Sequence, residues 1–226
     1  HTNGYSLARK VLLDKFKVSN MLTHSSIAFQ VSEILKLINS DSSILEIGPS
    51  DGSLGYLLKW TNYKYTSVDI NELYEPDILG DFLKSDLLIN KKSDLVCAFQ
   101  VMEHTPLNLL DLWIKRFSKC TKNYLIISLP DSRPRLSFDI DLAILGKRKN
   151  FKLDIGPFDF KGREPKNIRK TFGGVDNYAP HYWELGKGIK AETIVEEFQK
   201  YNFKILWNKA NPHFRYHSFF CFKKIQ

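Results

Sequence analysis

The chain has 226 residues, 43% of them hydrophobic, and 33 Lys and Arg against 25 Asp and Glu give it a formal net charge of +8. That length suits one domain with an embedded cap, and the apolar share fills a sizeable core. No run of eighteen apolar residues occurs, which excludes a membrane-spanning helix, and the opening HTNGYSLARK lacks the apolar stretch of a signal peptide, so a cytoplasmic protein is expected. Cys97, Cys120 and Cys221 are odd in number and form no C-x-x-C pair. They read as reduced thiols, with no structural zinc. The positive charge admits nucleic acid, an anionic membrane surface or a phosphorylated small substrate, and a lysine-rich solvated surface accounts for it equally well. Its excess is local: between Asp131 and Val175, eleven Lys or Arg face six Asp or Glu.

In chain order, two amphipathic patterns come first, over 6–16 and 26–38, and suggest N-terminal helices within residues 1–40. ILEIGPSDGSLG, residues 44–55, then runs from a buried strand through Gly48, Gly52 and Gly55 into a helix over 53–60. YKYTSVDI, residues 63–70, is a second strand ending near Asp69, and ILGDFLK is a third, short candidate. Asp94 opens an apolar strand over 95–99 that polar Gln100 closes, a helix fits 107–118, and NYLIISLPD over 123–131 makes a fifth strand. Residues 131–190 form a long irregular insert, in which FDIDLAILGKRK fits a helix and GPFDFKGREPKN reads mostly as turn. A helix over 192–201 precedes two aromatic-rich strands, 203–208 and 214–224, which read as an antiparallel hairpin. Alternating strands and helices predict one α/β domain over 1–226, built on a parallel sheet covered on both faces.

The chemistry is concentrated at the predicted carboxyl ends of these strands, where such sheets bind ligands. Glycine lets a ligand approach the main chain, and backbone N–H groups at a helix start hold anionic groups. The spacing E-x-G-x-x-x-G-x-x-G departs from the dinucleotide fingerprint G-x-G-x-x-G, since position 50 is Ser50. Asp69 lies twenty-one positions after Gly48, where a carboxylate suits the two hydroxyls of a ribose.

Taken in sequence, the glycine loop, Asp69, the Asp81-Phe82 pair, the QVMEHTP loop and the strand ending in Pro130 resemble the class I S-adenosylmethionine (SAM) methyltransferases over residues 40–131. The resemblance implies a Rossmann-like, mostly parallel seven-strand sheet with an antiparallel last strand. It also implies S-adenosyl-L-methionine as methyl donor and S-adenosyl-L-homocysteine as product. The implied cofactor residues are Glu46, Gly48, Pro49, Ser50 and Gly52 in the loop, with Asp69 and Ile70 at the ribose. Asp81 would accept from the adenine amino group, Phe82 would cover the ring, and Gln100 would close the site.

On the acceptor side, the loop after the fourth strand holds neither the (Asp/Asn)-Pro-Pro-(Tyr/Phe) pattern of enzymes that methylate exocyclic amines of bases nor the Pro-Cys pair of those that methylate pyrimidine C5. A hydroxyl acceptor is expected, which calls for a general base. His104 and His181 compete for that role, since histidine as a residue type ordinarily changes charge near neutral pH. HYWELG, residues 181–186, is similar to a motif of methyltransferases associated with bacterial surface polysaccharides, and QVMEHTP resembles the loop of small-molecule enzymes. Tyr178, Tyr182, Glu184 and Arg133 are candidates for positioning the substrate. Glu103 is read as a buttress of its loop, His213 and His217 as structural, and Trp183 as either packing or a stacking platform. His181 and Glu184 alone are too few ligands for a metal site, so none is expected.

The expected partner is a small, anionic acceptor, phosphorylated or nucleotide-linked and sugar-like, bound under a cap over 131–186 whose Lys and Arg hold its charge. An RNA methyltransferase is the first alternative, although no RNA-binding module is appended and nucleic acid is not expected. A SAM-binding protein without catalysis is the second. The oligomeric state stays open.

Overall fold

A computed structural model describes residues 21–50, 52–84, 91–144, 147–158 and 181–225. The pattern over 6–16 lies outside them. In chain order the elements are α1 (Met21–Leu35), β1 (Ser43–Ile47), α2 (Ser53–Trp60), β2 (Lys64–Asp69), a 3-10 turn over Glu72–Tyr74, β3 (Ile78–Leu79) and β4 (Ser93–Phe99). Two further 3-10 turns, Met102–His104 and Leu107–Leu109, lead into α3 (Leu110–Cys120) and β5 (Thr121–Pro130). Then come β6 (Leu136–Ile144), β7 (Lys147–Ile155), β8 (Glu184–Leu185), β9 (Gly188–Ile189), α4 (Ala191–Gln199), β10 (Phe203–Ala210) and β11 (His217–Lys224).

The main sheet has seven strands in the order β10-β11-β5-β4-β1-β2-β3. β1, β2, β3, β4 and β5 run parallel, and β11 lies antiparallel to both β5 and β10. This is the expected Rossmann-like sheet with its antiparallel last strand and an insert after the fifth. The central strands β1, β4, β5 and β11 carry nearly continuous buried apolar runs because both faces are covered. Leu45, Ile47, Val96, Ala98, Leu125, Ile127, Phe220 and Phe222 point to one face, against Trp113, Ile114 and Phe117 of α3 and Ile194 and Phe198 of α4. Ile44, Leu95, Cys97, Ile126, Phe219 and Cys221 point to the other, against Ile34 of α1 and Leu54 and Leu58 of α2. The helices supply matching stripes: Leu110, Trp113, Ile114 and Phe117 recur at three- and four-residue steps and are all buried. All three cysteines are free and buried.

Two expectations change. The strict alternation of strand and helix fails after β2, where a single 3-10 turn leads to a β3 of only two residues. FDIDLAILGKRK is not helical: most of it lies in a two-stranded antiparallel hairpin, β6 with β7. The reason is the period. Leu136, Phe138, Ile140, Leu142 and Ile144 alternate with polar or small residues, and period two belongs to a strand. The register sets Leu136 opposite Ile155, Phe138 opposite Leu153 and Ile140 opposite Phe151, so one side of the hairpin is apolar. These side chains are exposed. The hairpin's base is tied down by the ion pair of Arg215 with Asp154, 2.8 Å, and by the bond from Phe158 N–H to Pro134 C=O, 2.9 Å. Tyr178 and the rest of 159–180 lie outside the described residues, as does Asp51.

Candidate functional site

Because β1 to β5 are parallel, their carboxyl ends fall on one edge. In spatial order that edge presents Asp81 after β3, Asp69 at the end of β2, Gly48 after β1, Gln100 after β4 and Asp131 after β5. The chain order reverses between β1 and β4, and ligands of open α/β sheets bind at that reversal. Four of the residues singled out from sequence thus meet there.

Gly48 is shaped for the position. Its φ is +71°, and a Cβ on it would stand 2.5 Å from Cγ2 of Val101. Any side chain would meet both a disfavoured backbone and the loop after β4. Its N–H donates to Val68 C=O at 2.9 Å, which pins the glycine turn to β2. Gly52, φ +72°, opens α2, and a Cβ there would meet nothing within 4 Å, so the turn leaves room over the helix start. Ser50 is exposed and Pro49 buried. Ser50 and Gln100 adopt positive φ without being glycine. Gln100 is held there by its N–H on Ser128 C=O and its Nε2 on Ser128 Oγ, both 3.1 Å. Glu46 lies beneath this loop, buried within the sheet, and accepts the Tyr65 hydroxyl. Burial and that carboxylate together hold the Tyr65 hydroxyl protonated.

Asp69 accepts from Asn71 N–H at 2.8 Å, and burial raises its pKa above the usual carboxylate value. Ile70 beside it is 74% exposed, an apolar surface at the edge. Asp81 accepts from Leu83 N–H at 2.9 Å and pairs with Lys84 at 3.1 Å. Phe82 corrects its expected role. Its side chain is buried, with its ring 5.3 Å from those of Trp113 and Phe117. It packs the core, while Ile70, with Leu73 and Leu79, leaves exposed apolar surface at this end of the edge.

The second half of the site joins the turn after β4 to the segment before β8. Tyr182 N–H donates to Glu103 C=O at 2.8 Å, and Trp183 Nε1–H donates to Thr105 C=O at 2.9 Å. Trp183 is fully buried, so it packs and does not stack on a ligand. This clamp brings the two candidate histidines together: the rings of His104 and His181 lie 4.9 Å apart, at 67°. His181 Nδ1 is 3.0 Å from Glu184 Oε1, which also accepts the Tyr216 hydroxyl at 2.7 Å. Ser132 Oγ–H donates to the other oxygen of Glu184. Burial works against ionising Glu184, yet the bonds from His181, Ser132 and Tyr216, with Lys187 nearby, outweigh it and lower the pKa. Glu184, expected to touch substrate, is 1% exposed and instead orients His181. Tyr216 completes this set; nothing near it in sequence signals the role.

Glu103 is fully buried, and neither carboxylate oxygen has a hydrogen-bond partner among the described residues. Burial, with the charge of Glu184 adding, pushes its pKa up to about 8. Arg133 is also corrected. Its guanidinium reaches both oxygens of buried Asp131, at 2.8 and 2.9 Å, and Arg135 pairs with the same carboxylate. It is therefore held within the fold by a bidentate ion pair, which removes it from substrate positioning. Tyr182 is exposed beside the histidines.

No protein-family model and no curated protein sequence matches the chain. Solved structures do match its fold. The glycopeptide N-methyltransferase MtfA complexed with SAM superposes with a TM-score of 0.58 at 11% identity, covering 89% of this chain and 94% of that one. The Burkholderia thailandensis 1,6-didemethyltoxoflavin-N1-methyltransferase, with bound 1,6-didemethyltoxoflavin and S-adenosylhomocysteine, gives 0.56 at 10% identity, covering 98% of this chain and 89% of that one. Magnesium protoporphyrin IX methyltransferase from Synechocystis PCC 6803 with bound SAM gives 0.52 at 14% identity, covering 89% and 77%. The chain has the fold of the class I SAM-dependent methyltransferases.

Proposed function

We propose that the protein is a SAM-dependent methyltransferase that methylates a hydroxyl of a small, anionic, sugar-type acceptor. The observation that carries this is the carboxyl edge itself: an open glycine turn at the reversal of strand order, with Asp69 on the next strand and two histidines on the far side. The residues fit the donor. The turn over Gly48 and Gly52 leaves main chain accessible, Asp69 suits the ribose hydroxyls, Ile70 offers an apolar cover, and Asp81 accepts from an amino group. When bound, SAM supplies a methyl group on a sulfonium for in-line displacement. The chain's own part is to position the acceptor, which is worth several kcal/mol of the barrier, and to take its proton. His181, held by Glu184, or His104 beside it takes that proton, and Tyr182, exposed next to them, orients the acceptor. The Lys and Arg of the insert hold an anionic group, in keeping with a phosphorylated or nucleotide-linked precursor of a surface polysaccharide.

Calorimetry with SAM and S-adenosylhomocysteine, followed by turnover against nucleotide sugars and phosphorylated metabolites, tests the reading. Binding with methyl transfer to oxygen is expected. Absence of SAM binding overturns it, and binding with no turnover in any panel leaves a SAM-binding protein instead. If RNA is the acceptor, affinity falls steeply with salt. Replacing the true base by alanine slows single turnover by about 10²–10⁴-fold with SAM binding intact. If both His104→Ala and His181→Ala stay within a few-fold of the parent, neither is the base.

A further inference from the structure

Glu103 sets a problem that the proton-transfer role leaves unsolved. A buried carboxylate is ordinarily paired or hydrogen-bonded, and this one has neither oxygen satisfied among the described residues. What lies beside it is nitrogen. One ligand-type atom from each of Glu103, His104 and His181 falls within 4.8 Å of the other two. Ligands of one tetrahedral ion at about 2.0–2.2 Å stand about 3.3–3.6 Å apart, so side-chain rotations that shorten the widest separation by about 1.2–1.5 Å bring the three onto one centre.

We propose that Glu103, His104 and His181 form a binding site for a divalent transition-metal ion. Two imidazoles and one carboxylate suit zinc, cobalt, nickel or ferrous iron, and they are a poor set for magnesium or calcium, which take oxygen ligands. The surroundings are those of a metal centre. Glu184 engages His181 at Nδ1, 3.0 Å, leaving Nε2 as the ligating nitrogen, and Glu184 is itself fixed by Ser132 and Tyr216. A carboxylate behind a ligating histidine sets its tautomer and strengthens it as a ligand. The backbone is set as well: Tyr182 N–H on Glu103 C=O and His104 N–H on Val101 C=O hold both ligand-bearing segments in register. Three protein ligands leave at least one position open, and with an ion bound the imidazole lone pairs are taken up by it, so the base role of His104 or His181 belongs to the metal-free chain. That this position faces the acceptor rests on the methyltransferase reading; the metal site itself does not.

The test uses the full chain after treatment with a chelator, with Co²⁺ alone as the probe. One equivalent binds and gives the visible d–d absorption of a nitrogen-ligated, low-coordinate site, and Zn²⁺ displaces it. Glu103→Gln and the double variant His104→Ala/His181→Ala lose this spectrum. Glu184→Gln lowers Co²⁺ affinity by about 10–100-fold, as loss of an outer carboxylate does, while His213→Ala changes nothing. Circular dichroism and SAM calorimetry on the same samples show that each variant is folded. No bound equivalent in the parent chain, or an unchanged spectrum in the double variant, overturns the site. Intact SAM binding in that case leaves the methyltransferase reading standing. Metal binding without SAM binding fails that reading and keeps the site.

Discussion

Gly48→Ala gives a sharp test of how the glycine turn is built, because two separate costs can be read from the structure. The first is backbone: at φ +71° an alanine pays the left-handed penalty of about 1–2 kcal/mol. The second is overlap: its Cβ would stand 2.5 Å from Val101 Cγ2 and 3.2 Å from Cγ1, and forced overpacking of this kind costs about 1–3 kcal/mol. The reduced freedom of the unfolded chain offsets about 0.4–1 kcal/mol. The net expectation is a loss of about 3 kcal/mol, read as a lower urea midpoint with an unchanged slope. Val101→Ala removes both γ-carbons and so removes the overlap while leaving the backbone cost. The double variant is therefore expected to be more stable than the two single losses add to, by about 1–2 kcal/mol. Strict additivity within about 0.3–0.5 kcal/mol, or a Gly48→Ala chain as stable as the parent, would refute the reasoning.

Asp69→Ala weakens SAM binding by about 1–3 kcal/mol, the loss expected when hydrogen bonds to a charged group go; unchanged affinity by calorimetry removes Asp69 from the site. Arg133→Met lowers stability by about 2–4 kcal/mol, because Asp131 stays buried and loses its bidentate guanidinium while keeping Arg135; a loss of acceptor affinity with full stability would return Arg133 to the substrate. His217 is pushed down to about 4 by burial, with His181 adding, so the folded chain binds fewer protons than the unfolded one between about pH 4 and 6.5. Stability is then complete above about pH 6.5 and falls by about 2–3 kcal/mol as pH drops through that window; His217→Gln flattens the slope in urea titrations at pH 5 and 7. Asp94, lowered to about 2 by Lys122 and the bonds from Ser43, acts in the next window down. Its contribution is present above about pH 4 and lost toward pH 2, and Asp94→Asn removes that part of the acid transition.

The sheet was legible because its strands are apolar runs too short for helices and bounded by glycine or acidic residues, and because the three-four spacing of Leu110, Trp113, Ile114 and Phe117 admits only a helix. The glycine turn and Asp69 were legible from spacing alone. What failed did so for physical reasons. Leu, Ala, Lys and Arg are good helix formers, and their density over 139–149 masked the alternation that puts β6 opposite β7. Phe82 follows Asp81 directly, and adjacency says nothing about which side of the chain a ring takes; packing against the rings of Trp113 and Phe117 decided it. The basic excess pointed to Arg133 as an anion ligand, yet its anion is Asp131, two residues upstream. The spacing of His181 and Glu184 did bring them into contact. That Glu103 would end up dry and without a partner was not readable locally, since its burial comes from segments some eighty residues further on.

Tyr65 carries a consequence for how this chain can vary. Its ring stands 2.6 Å from where a Cβ on Gly55 would be, and its hydroxyl donates to Glu46. Positions 46, 55 and 65 are on three different elements, β1, α2 and β2, yet none is free to drift alone. An alanine at 55 requires a smaller ring or an aliphatic residue at 65. A phenylalanine at 65 keeps the packing but removes the hydroxyl that the carboxylate at 46 accepts from, which favours glutamine or an apolar residue there. In divergent relatives these three positions are expected to exchange as a set, and a triple replacement to be accepted where each single one is not.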